Sequence, residues 1–333
     1  MMDEIVTLDY GSGGKKTSRL IEELIVPAFS NPALEALGDG ALLKGAGELV
    51  FSTDSFVVSP LFFPGGDIGK LAVCGTVNDV SVCGGEALYL SCAFIIEEGF
   101  RFEELRRIIT SMGETARKAG VSLVTGDTKV VERGRGDGIY INTAGIGALK
   151  WPGLSPSNIR EGDAVIVSGT VGDHGTAVML ARSGMMRGEI RSDCAALGGL
   201  CAAVLDSGAR VRVLRDPTRG GLATTLCEFV EGGELSIELD ESAVPVRPQV
   251  AAACAMLGLD PMYCANEGKL ICVCDGEDAQ KAVEAMRSTP EGADAAVIGH
   301  VSARRGGRVV MKTAFGGSRI LQKLAGAQLP RIC

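Results

Sequence analysis

The sequence has few of the patterns that mark membrane, secreted or nucleic-acid-binding proteins. Its longest apolar stretches, such as residues 87–96, are far shorter than the roughly 20 residues that a membrane helix needs. The first residues carry no apolar signal-peptide region. The 33 basic residues are outnumbered by 41 acidic ones, so no basic nucleic-acid footprint is present. These absences predict a cytoplasmic protein that binds neither membrane nor nucleic acid.

Metal-binding and disulfide patterns are also scarce. No Cys-x-x-Cys motif occurs, and His174 and His300 are the only two histidines. The cysteines number 11, which is odd, and they are scattered through apolar segments, which predicts reduced thiols rather than a disulfide framework. Cys272 and Cys274 alternate with apolar residues, a pattern that predicts a buried strand rather than a metal site.

Apolar runs typical of strands alternate with helical patterns, which predicts a mixed α/β or α+β fold. The clearest helix is expected over residues 102–119, where Leu105, Ile108 and Met112 recur at helical spacing and Gly120 follows. The expected strands cover 49–51, 87–96, 121–125, 139–147 and 164–169, and further helices are expected over 178–182, 224–230 and 280–287.

The segment 151–157 contains two prolines, a glycine and two serines, a composition that favours a linker or exposed loop. It predicts one domain over residues 1–150 and a second over 151–312. Residues 313–333 are expected to form a mobile tail. In this tail Gly316 and Gly317 would be the hinge, and residues 320–324 a weak helix.

The last residue of the sequence, Cys333, places a thiol at the end of this tail. Chain termini are usually mobile and accessible, so core packing does not explain a cysteine there. A prenylation box needs cysteine in the fourth position from the end, where this chain has Pro330. We expect the tail to present Cys333 to another site, and chance placement is the alternative.

Four aspartates stand beside glycines or at expected strand ends: Asp39, Asp54, Asp79 and Asp127. Mg²⁺ prefers hard oxygen ligands and is commonly held by carboxylates together with substrate phosphates. Each aspartate taken alone is better explained as a turn former or helix cap. Their joint occurrence supports the hypothesis of a magnesium–nucleotide site.

A glycine-rich segment near the start of the chain contains Gly11, Gly13 and Gly14 and leads toward a helix. Backbone N–H groups in such segments can cradle phosphate. It is not a Walker A loop, because Asp9 stands where that motif requires glycine and Lys16 where it requires serine or threonine. A flexible N-terminal segment is the alternative.

Two later segments carry charged residues beside glycines. Arg219, in the segment 216–221, can face an anion where Gly220 and Gly221 allow close backbone approach. The alternative is a simple helix start with Asp216 as the N-cap. Glu267 precedes an expected strand, and it is either a base or a solvated charge.

Together these motifs resemble the HypE family of hydrogenase expression/formation proteins, within the AIR-synthetase-like (PurM-like) superfamily. The resemblance covers nearly the whole chain, and the Pro330–Cys333 ending distinguishes HypE from other superfamily members. The matching segments are 11–14, 52–55, 62–69, 75–79, 126–131, 216–221, 266–269 and 330–333.

The resemblance implies a two-domain PurM-like fold with an N-terminal sheet that forms a dimer interface. It implies that a carbamoyltransferase, HypF, loads a carbamoyl group onto the terminal thiol. The chain would then dehydrate this group to a thiocyanate with ATP and Mg²⁺. The cyano group would pass to iron held by a HypC–HypD complex, as a ligand of the [NiFe]-hydrogenase centre.

On this resemblance Cys333 carries the substrate, Lys129 stabilises the transferring phosphoryl group, and Glu267 is the candidate base. The expected nucleotide contacts are Gly11, Gly13, Gly14, Asp79, Asp127 and Arg219, and the expected metal ligands are Asp39, Asp54, Asp79 and Asp127. Another PurM-like ATP-dependent synthetase or kinase is the main alternative, and a nucleotide-sensing scaffold without turnover is a further one.

Overall fold

The structure is a computed structural model. It describes residues 3–12, 14–35, 40–41, 43–45, 47–184, 190–303 and 306–324. Three residues singled out in the sequence, Gly13, Asp39 and Cys333, therefore lie outside the described residues.

The chain divides into two compact units. The first holds the chain up to Leu61 together with Asp67–Val80 and Gly85–Lys150. The second holds Phe62–Gly66, Ser81–Gly84 and the chain from Trp151 onward. Each unit has its own main sheet.

Before residue 150 the strands are β1 (Leu49–Phe56), β2 (Phe62–Phe63), β3 (Gly66–Asp67), β4 (Gly85–Glu97), β5 (Ser122–Val131) and β6 (Ile139–Leu149). The helices are α1 (Lys15–Leu20), a π-helical turn (Ile21–Ile25), α2 (Val26–Phe29), α3 (Pro32–Glu35), α4 (Ile68–Val82) and α5 (Phe102–Ala119). A 3₁₀ turn, Leu8–Gly11, precedes α1.

The sheet of the first unit has the strand order β1-β6-β4-β5. β4 and β5 are parallel and α5 connects them, as parallel neighbours require a crossover. Leu105, Ile108 and Met112 are fully buried on one face of α5, and Gly120 ends the helix with a φ of 73°. The predicted helix over 102–119 is confirmed.

After residue 150 the strands are β7 (Ala164–Val167), β8 (Val211–Arg215), β9 (Ser236–Asp240), β10 (Ile271–Cys274), β11 (Ala296–Ser302), β12 (Val309–Lys312) and β13 (Ser318–Leu321). The helices are α6 (Asp173–Ser183), α7 (Gly198–Asp206), α8 (Gly221–Val230), α9 (Pro248–Leu257) and α10 (Ala279–Arg287). The sheet order is β13-β12-β9-β11-β7-β10-β8.

The central strands of this second sheet are buried on both faces. Val165 and Val167 of β7 belong to a core that includes α8, whereas Ala164 and Ile166 belong to a core that includes α7 and α10. All four residues of β10 are buried, which confirms the strand predicted around Cys272 and Cys274. Alternating side chains along one strand thus fill two separate cores.

One local prediction and one of the alternatives are wrong. The weak helix expected over residues 320–324 is absent, because 318–321 form β13, paired antiparallel with β12. The periodic apolar residues there pack as a strand once β12 offers an edge. Asp216 is also not a helix cap, since α8 begins at Gly221 with Gly220 as its N-cap.

None of the ten cysteines within the described residues forms a disulfide, which agrees with the prediction of reduced cysteines. In the same part of the chain, none of the helices combines the length and the apolar character needed to cross a bilayer.

Candidate active site

A cavity of about 390 Å³ lies in the first unit, along the edge strand β5. Its lining includes Gly11, Thr17, Phe94, Asp127, Thr128 and Lys129. A volume of this size is at the lower end of the range of small-molecule pockets, roughly 300–1,000 Å³. The cavity thus unites part of the glycine-rich segment with the 126–131 motif.

Gly11 brings the N-terminal segment against β5. A Cβ atom at this position would overlap the backbone nitrogen of Val130, so only glycine permits the contact. Gly14 directly precedes α1 and is not among the residues that line the cavity. Of the glycines predicted here, the structure therefore places Gly11 at the cavity.

Asp127 and Lys129 lie two residues apart on β5, so both side chains leave the same face of the strand. Lys129 Nζ is 3.7 Å from Asp127 Oδ2, and both side chains are mostly exposed. An exposed pair of this kind is worth little stabilisation, on the order of 0–1 kcal/mol. Both charges are therefore available to a ligand in the cavity.

Asp79 and Asp54 lie near the opposite edge strand of this sheet, β1. Asp79, on α4, accepts a hydrogen bond from Ser52 Oγ of β1 at 2.7 Å. Asp54, also on β1, accepts the backbone N–H of Ser55 at 2.7 Å. Both aspartates are half-buried.

The strand order separates these aspartates from Asp127. β1 and β5 are the two edges of the sheet, so three strand spacings, about 14 Å, lie between Asp54 and Asp127. The paired residues across the four strands place Asp127 in register with Ser55, so these two side chains lie on the same face of the sheet. Asp54, next to Ser55 on β1, points to the opposite face. No group of three metal-binding side chains occurs among the described residues. The described part of the chain therefore does not assemble the predicted four-aspartate magnesium site.

Glu267 lies in the second unit, in the bend that precedes β10. It is 5% exposed, so it is not a solvated charge. Its backbone N–H donates to Asp193 Oδ1 at 3.1 Å, and its carbonyl accepts from the N–H of Ala195 at 3.3 Å. The side chain is thus held on a fixed, buried backbone.

The segment containing Arg219 lies beside this bend. Asn266 donates to the Pro217 carbonyl from its backbone N–H, at 3.1 Å, and from its side-chain amide, at 3.2 Å. Gly220 and Gly221 both have positive φ, 77° and 61°, which makes the sharp turn into α8. Arg219 is exposed at this turn, and the second unit therefore brings the Arg219 and Glu267 segments together.

His174, for which the sequence assigned no role, is fully buried at the start of α6. Burial lowers its pKa to about 4, so the imidazole is neutral at physiological pH. Nδ1 lies 2.8 Å from Ser192 Oγ. Neither Ser192 nor Asp193 was identified from the sequence, because the segment around them has neither helical nor strand periodicity.

Comparison with known proteins places the chain in a family. Family models of AIR synthase related proteins match at residues 37–149, as the N-terminal domain, and 160–312, as the C-terminal domain. Carbamoyl dehydratase HypE of Azotobacter vinelandii is 51% identical over 98% of this chain and 97% of its own length.

Solved structures agree with this assignment. A hydrogenase maturation protein HypE in complex with ATP matches with a TM-score of 0.94 and 51% identity, over 98% of this chain and 99% of that one. The HypE chain of a HypE–HypF complex matches with a TM-score of 0.79 and 47% identity, over 92% and 99%. The chain belongs to the HypE family of AIR synthase-related proteins, and its two-domain PurM-like fold is the one predicted.

Proposed function

We propose that the protein uses ATP to dehydrate an S-carbamoyl group on Cys333 to a thiocyanate, which supplies cyanide ligands for the iron of [NiFe]-hydrogenase. The observation that carries this proposal is the match over nearly the whole chain to a HypE structure in complex with ATP and to a carbamoyl dehydratase. The β5 cavity, with Gly11 and Lys129 in its lining, supports a phosphate-binding role.

The chemistry requires activation of the amide oxygen, which is a poor leaving group. The oxygen attacks the γ-phosphorus, the bond to ADP breaks, and one N–H proton is lost. Removal of the second N–H proton then forms the C≡N bond, and the C–O electrons leave with phosphate. The balance is one thiocarboxamide and ATP converted to one thiocyanate, ADP, hydrogen phosphate and one proton, so phosphate retains one of the two N–H protons and solvent takes the other.

The residues divide these tasks. Lys129, a cation at the cavity, would stabilise charge on the transferring phosphoryl group, because such transfer depends mainly on positioning and electrostatics. Glu267 would accept a proton from the carbamoyl nitrogen, and its burial excludes competing water. Arg219 would contact an anionic part of the nucleotide. Because the described aspartates do not converge, no step is assigned to magnesium.

The substrate carrier is the end of the chain. The hairpin of β12 and β13 extends through Leu321. The next two residues also contact the second unit, because the Gln322 N–H donates to Tyr263 Oη at 3.2 Å and Lys323 pairs with Glu231 at 2.8 Å. In this proposal the ten residues after Lys323 would deliver Cys333, and they would span at most about 36 Å when extended. In this proposal residues 1–150 and 151–312 remain the two domains, and the delivering segment is shorter than residues 313–333.

Partners and quaternary structure follow from the same proposal. The HypE–HypF complex supports a HypF-type carbamoyltransferase as the enzyme that loads Cys333, and the HypC–HypD complex as acceptor stays a prediction.

Phe51 is 66% exposed and Ile95 is 44% exposed on the same outer face of the first sheet. Asp127 and Lys129 lie on this same face, at its β5 edge, and the exposed apolar side chains beside them support a homodimer through that sheet. The cysteines of the described residues form no disulfides, which supports a cytoplasmic location.

Single-turnover ADP formation tests the coupling of ATP cleavage to the tail. The chain carbamoylated by HypF should form ADP in step with dehydration, and Cys333→Ala should form ADP only at a background rate. Equal ADP formation by the two proteins would instead favour another PurM-like synthetase or kinase.

A further inference from the structure

Residues 192–195 form an irregular segment between two glycine-containing motifs of the second unit, with Ser192 and Cys194 buried and Asp193 and Ala195 half-buried. On one side, the Ser192 N–H donates to the Pro64 carbonyl at 2.7 Å. On the other side, a Cβ at Gly268 would overlap the carbonyl of Asp193. The segment is therefore fixed against the Phe62–Gly66 motif and the 266–269 motif at once.

The Asp193 carboxylate is the polar centre of this contact, and its side chain is 2% exposed. Oδ1 accepts the backbone N–H of Glu267 at 3.1 Å, and Oδ2 lies 3.6 Å from Lys269 Nζ. Lys269 Nζ also donates to the Gly268 carbonyl at 3.2 Å. One buried carboxylate thus contacts the residues immediately before and after Gly268.

The backbone of Glu267 is held at both of its polar groups by this same segment. Asp193 accepts from its N–H, and the Ala195 N–H donates to its carbonyl at 3.3 Å. These two bonds fix the backbone at Glu267, so residues 193–195 set the direction in which its Cα–Cβ bond leaves the chain.

The segment is itself anchored at Ser192. Its hydroxyl lies 2.8 Å from His174 Nδ1 and accepts the Cys194 N–H at 3.0 Å. His174 packs edge-on against Phe63, with ring centroids 5.4 Å apart. The imidazole is neutral because burial lowers its pKa, so this anchor brings no second charge beside Asp193.

We propose that Asp193 is a positioning residue for Glu267, fixing the backbone on which that carboxylate acts as base. This inference rests on the proposed role of Glu267 in proton removal. Asp193 does not touch the substrate; it acts through the N–H of Glu267 and through its ion pair with Lys269.

A double-mutant cycle on the full chain, carbamoylated on Cys333, tests the proposal. Asp193→Ala removes the acceptor and the charge, and we expect kcat for dehydration to fall by about 10- to 100-fold, as small misplacements of catalytic groups do. Asp193→Asn retains an acceptor oxygen and should lose less. In a Glu267→Gln background, Asp193→Ala should cause no further loss, because it acts through Glu267. The KM for ATP should stay unchanged.

Asp163→Asn is the matched control. Asp163 is also 2% exposed, accepts a backbone N–H from Arg160 at 2.7 Å and pairs with Arg212 at 3.2 Å. Ser168, at the end of β7 next to the 266–269 segment, accepts the backbone N–H of Leu270 at 2.9 Å. Asp163 lies at the other end of β7, about 16 Å from Ser168. This variant should lower the melting temperature while kcat stays at the wild-type value.

The outcomes separate the two proposals. If Asp193→Ala has the wild-type kcat while Glu267→Gln has a reduced kcat, the positioning role of Asp193 is overturned and the role of Glu267 as base stands. The positioning role is also overturned if Asp193→Ala lowers kcat by the same factor in the wild-type background and in the Glu267→Gln background. Wild-type kcat in Glu267→Gln overturns the base itself, and the positioning role with it. If Asp193→Ala does not fold, the near-isosteric Asp193→Asn provides the same comparison.

Discussion

Lys129 Nζ lies 3.7 Å from Asp127 Oδ2 on the edge strand that lines the β5 cavity. The side chains are 65% and 64% exposed, so water screens their attraction. A phosphate in the cavity can therefore compete for Lys129 at little cost. This pair connects the sequence motif at residues 126–131 to a chemical role.

Replacing Lys129 with methionine should slow dehydration and leave the fold intact. A preorganised cation on a transferring group is worth about 10²–10³-fold in kcat, and the exposed pair with Asp127 adds little stability. Rapid-quench measurement of the carbamoylated chain gives kcat. Lys150→Met is the control, since Lys150 is half-exposed and paired with Glu86 at 2.7 Å. Equal rates for both variants would remove Lys129 from the mechanism.

Gly11→Ala should weaken nucleotide binding. The added Cβ would overlap the Val130 nitrogen, so the N-terminal segment must move away from β5 and the cavity must change shape. Calorimetry should show ATP affinity falling and the melting temperature dropping. Gly136→Ala is the control, because its nearest neighbour is 3.5 Å away, an ordinary contact. Unchanged ATP affinity in Gly11→Ala would place the nucleotide elsewhere.

His174 should make the protein less stable as the pH falls. Its folded pKa, about 4, lies below the ordinary 6.5. Between these values the unfolded chain binds the proton and the folded chain does not. The free energy of unfolding is therefore unaffected above about pH 6.5 and decreases by about 3 kcal/mol as the pH falls to about 4.

Chemical denaturation of variants at pH 7 and pH 4.5 measures this contribution. His174→Gln should show a smaller loss of stability between the two pH values than the wild type. His300→Gln is the control, since His300 is exposed. An identical loss in His174→Gln and in the wild type would contradict a neutral, buried imidazole.

Phe51→Glu should dissociate the proposed homodimer. A charge on the apolar outer face of the first sheet would be buried without a partner in the interface, which is costly. Sedimentation velocity should show a monomer, while Met256→Glu, at a residue 77% exposed in the second unit, should sediment as the wild type. A dimer that persists in both Phe51→Glu and Ile95→Glu would contradict an interface on this face.

Much of the fold could be predicted because its signals are local. The apolar spacing in α5 and the alternation around Cys272 are properties of a few neighbouring residues, and both elements form where predicted. Residues 320–324 were assigned wrongly because their partner strand, β12, is a tertiary feature. Short apolar segments take the structure that an available edge offers them.

The site was less predictable, because strand order decides which motifs meet. Asp54 and Asp127 each stand next to a threonine in a short motif, yet β6 and β4 lie between their strands. Asp193 has no motif of its own, and its role emerges only from contacts with residues 74 positions away. The chemical type of each side chain follows directly from the sequence, whereas contacts between residues far apart in the chain do not.

The central claim is that Cys333 carries the group that is dehydrated. Mass spectrometry of the C-terminal peptide, after loading by a HypF-type carbamoyltransferase and addition of ATP, tests it directly. We predict a carbamoyl adduct on Cys333 before ATP, loss of one water from that adduct after ATP, and neither species in Cys333→Ala. A carbamoyl or cyano adduct confined to another cysteine would contradict the account.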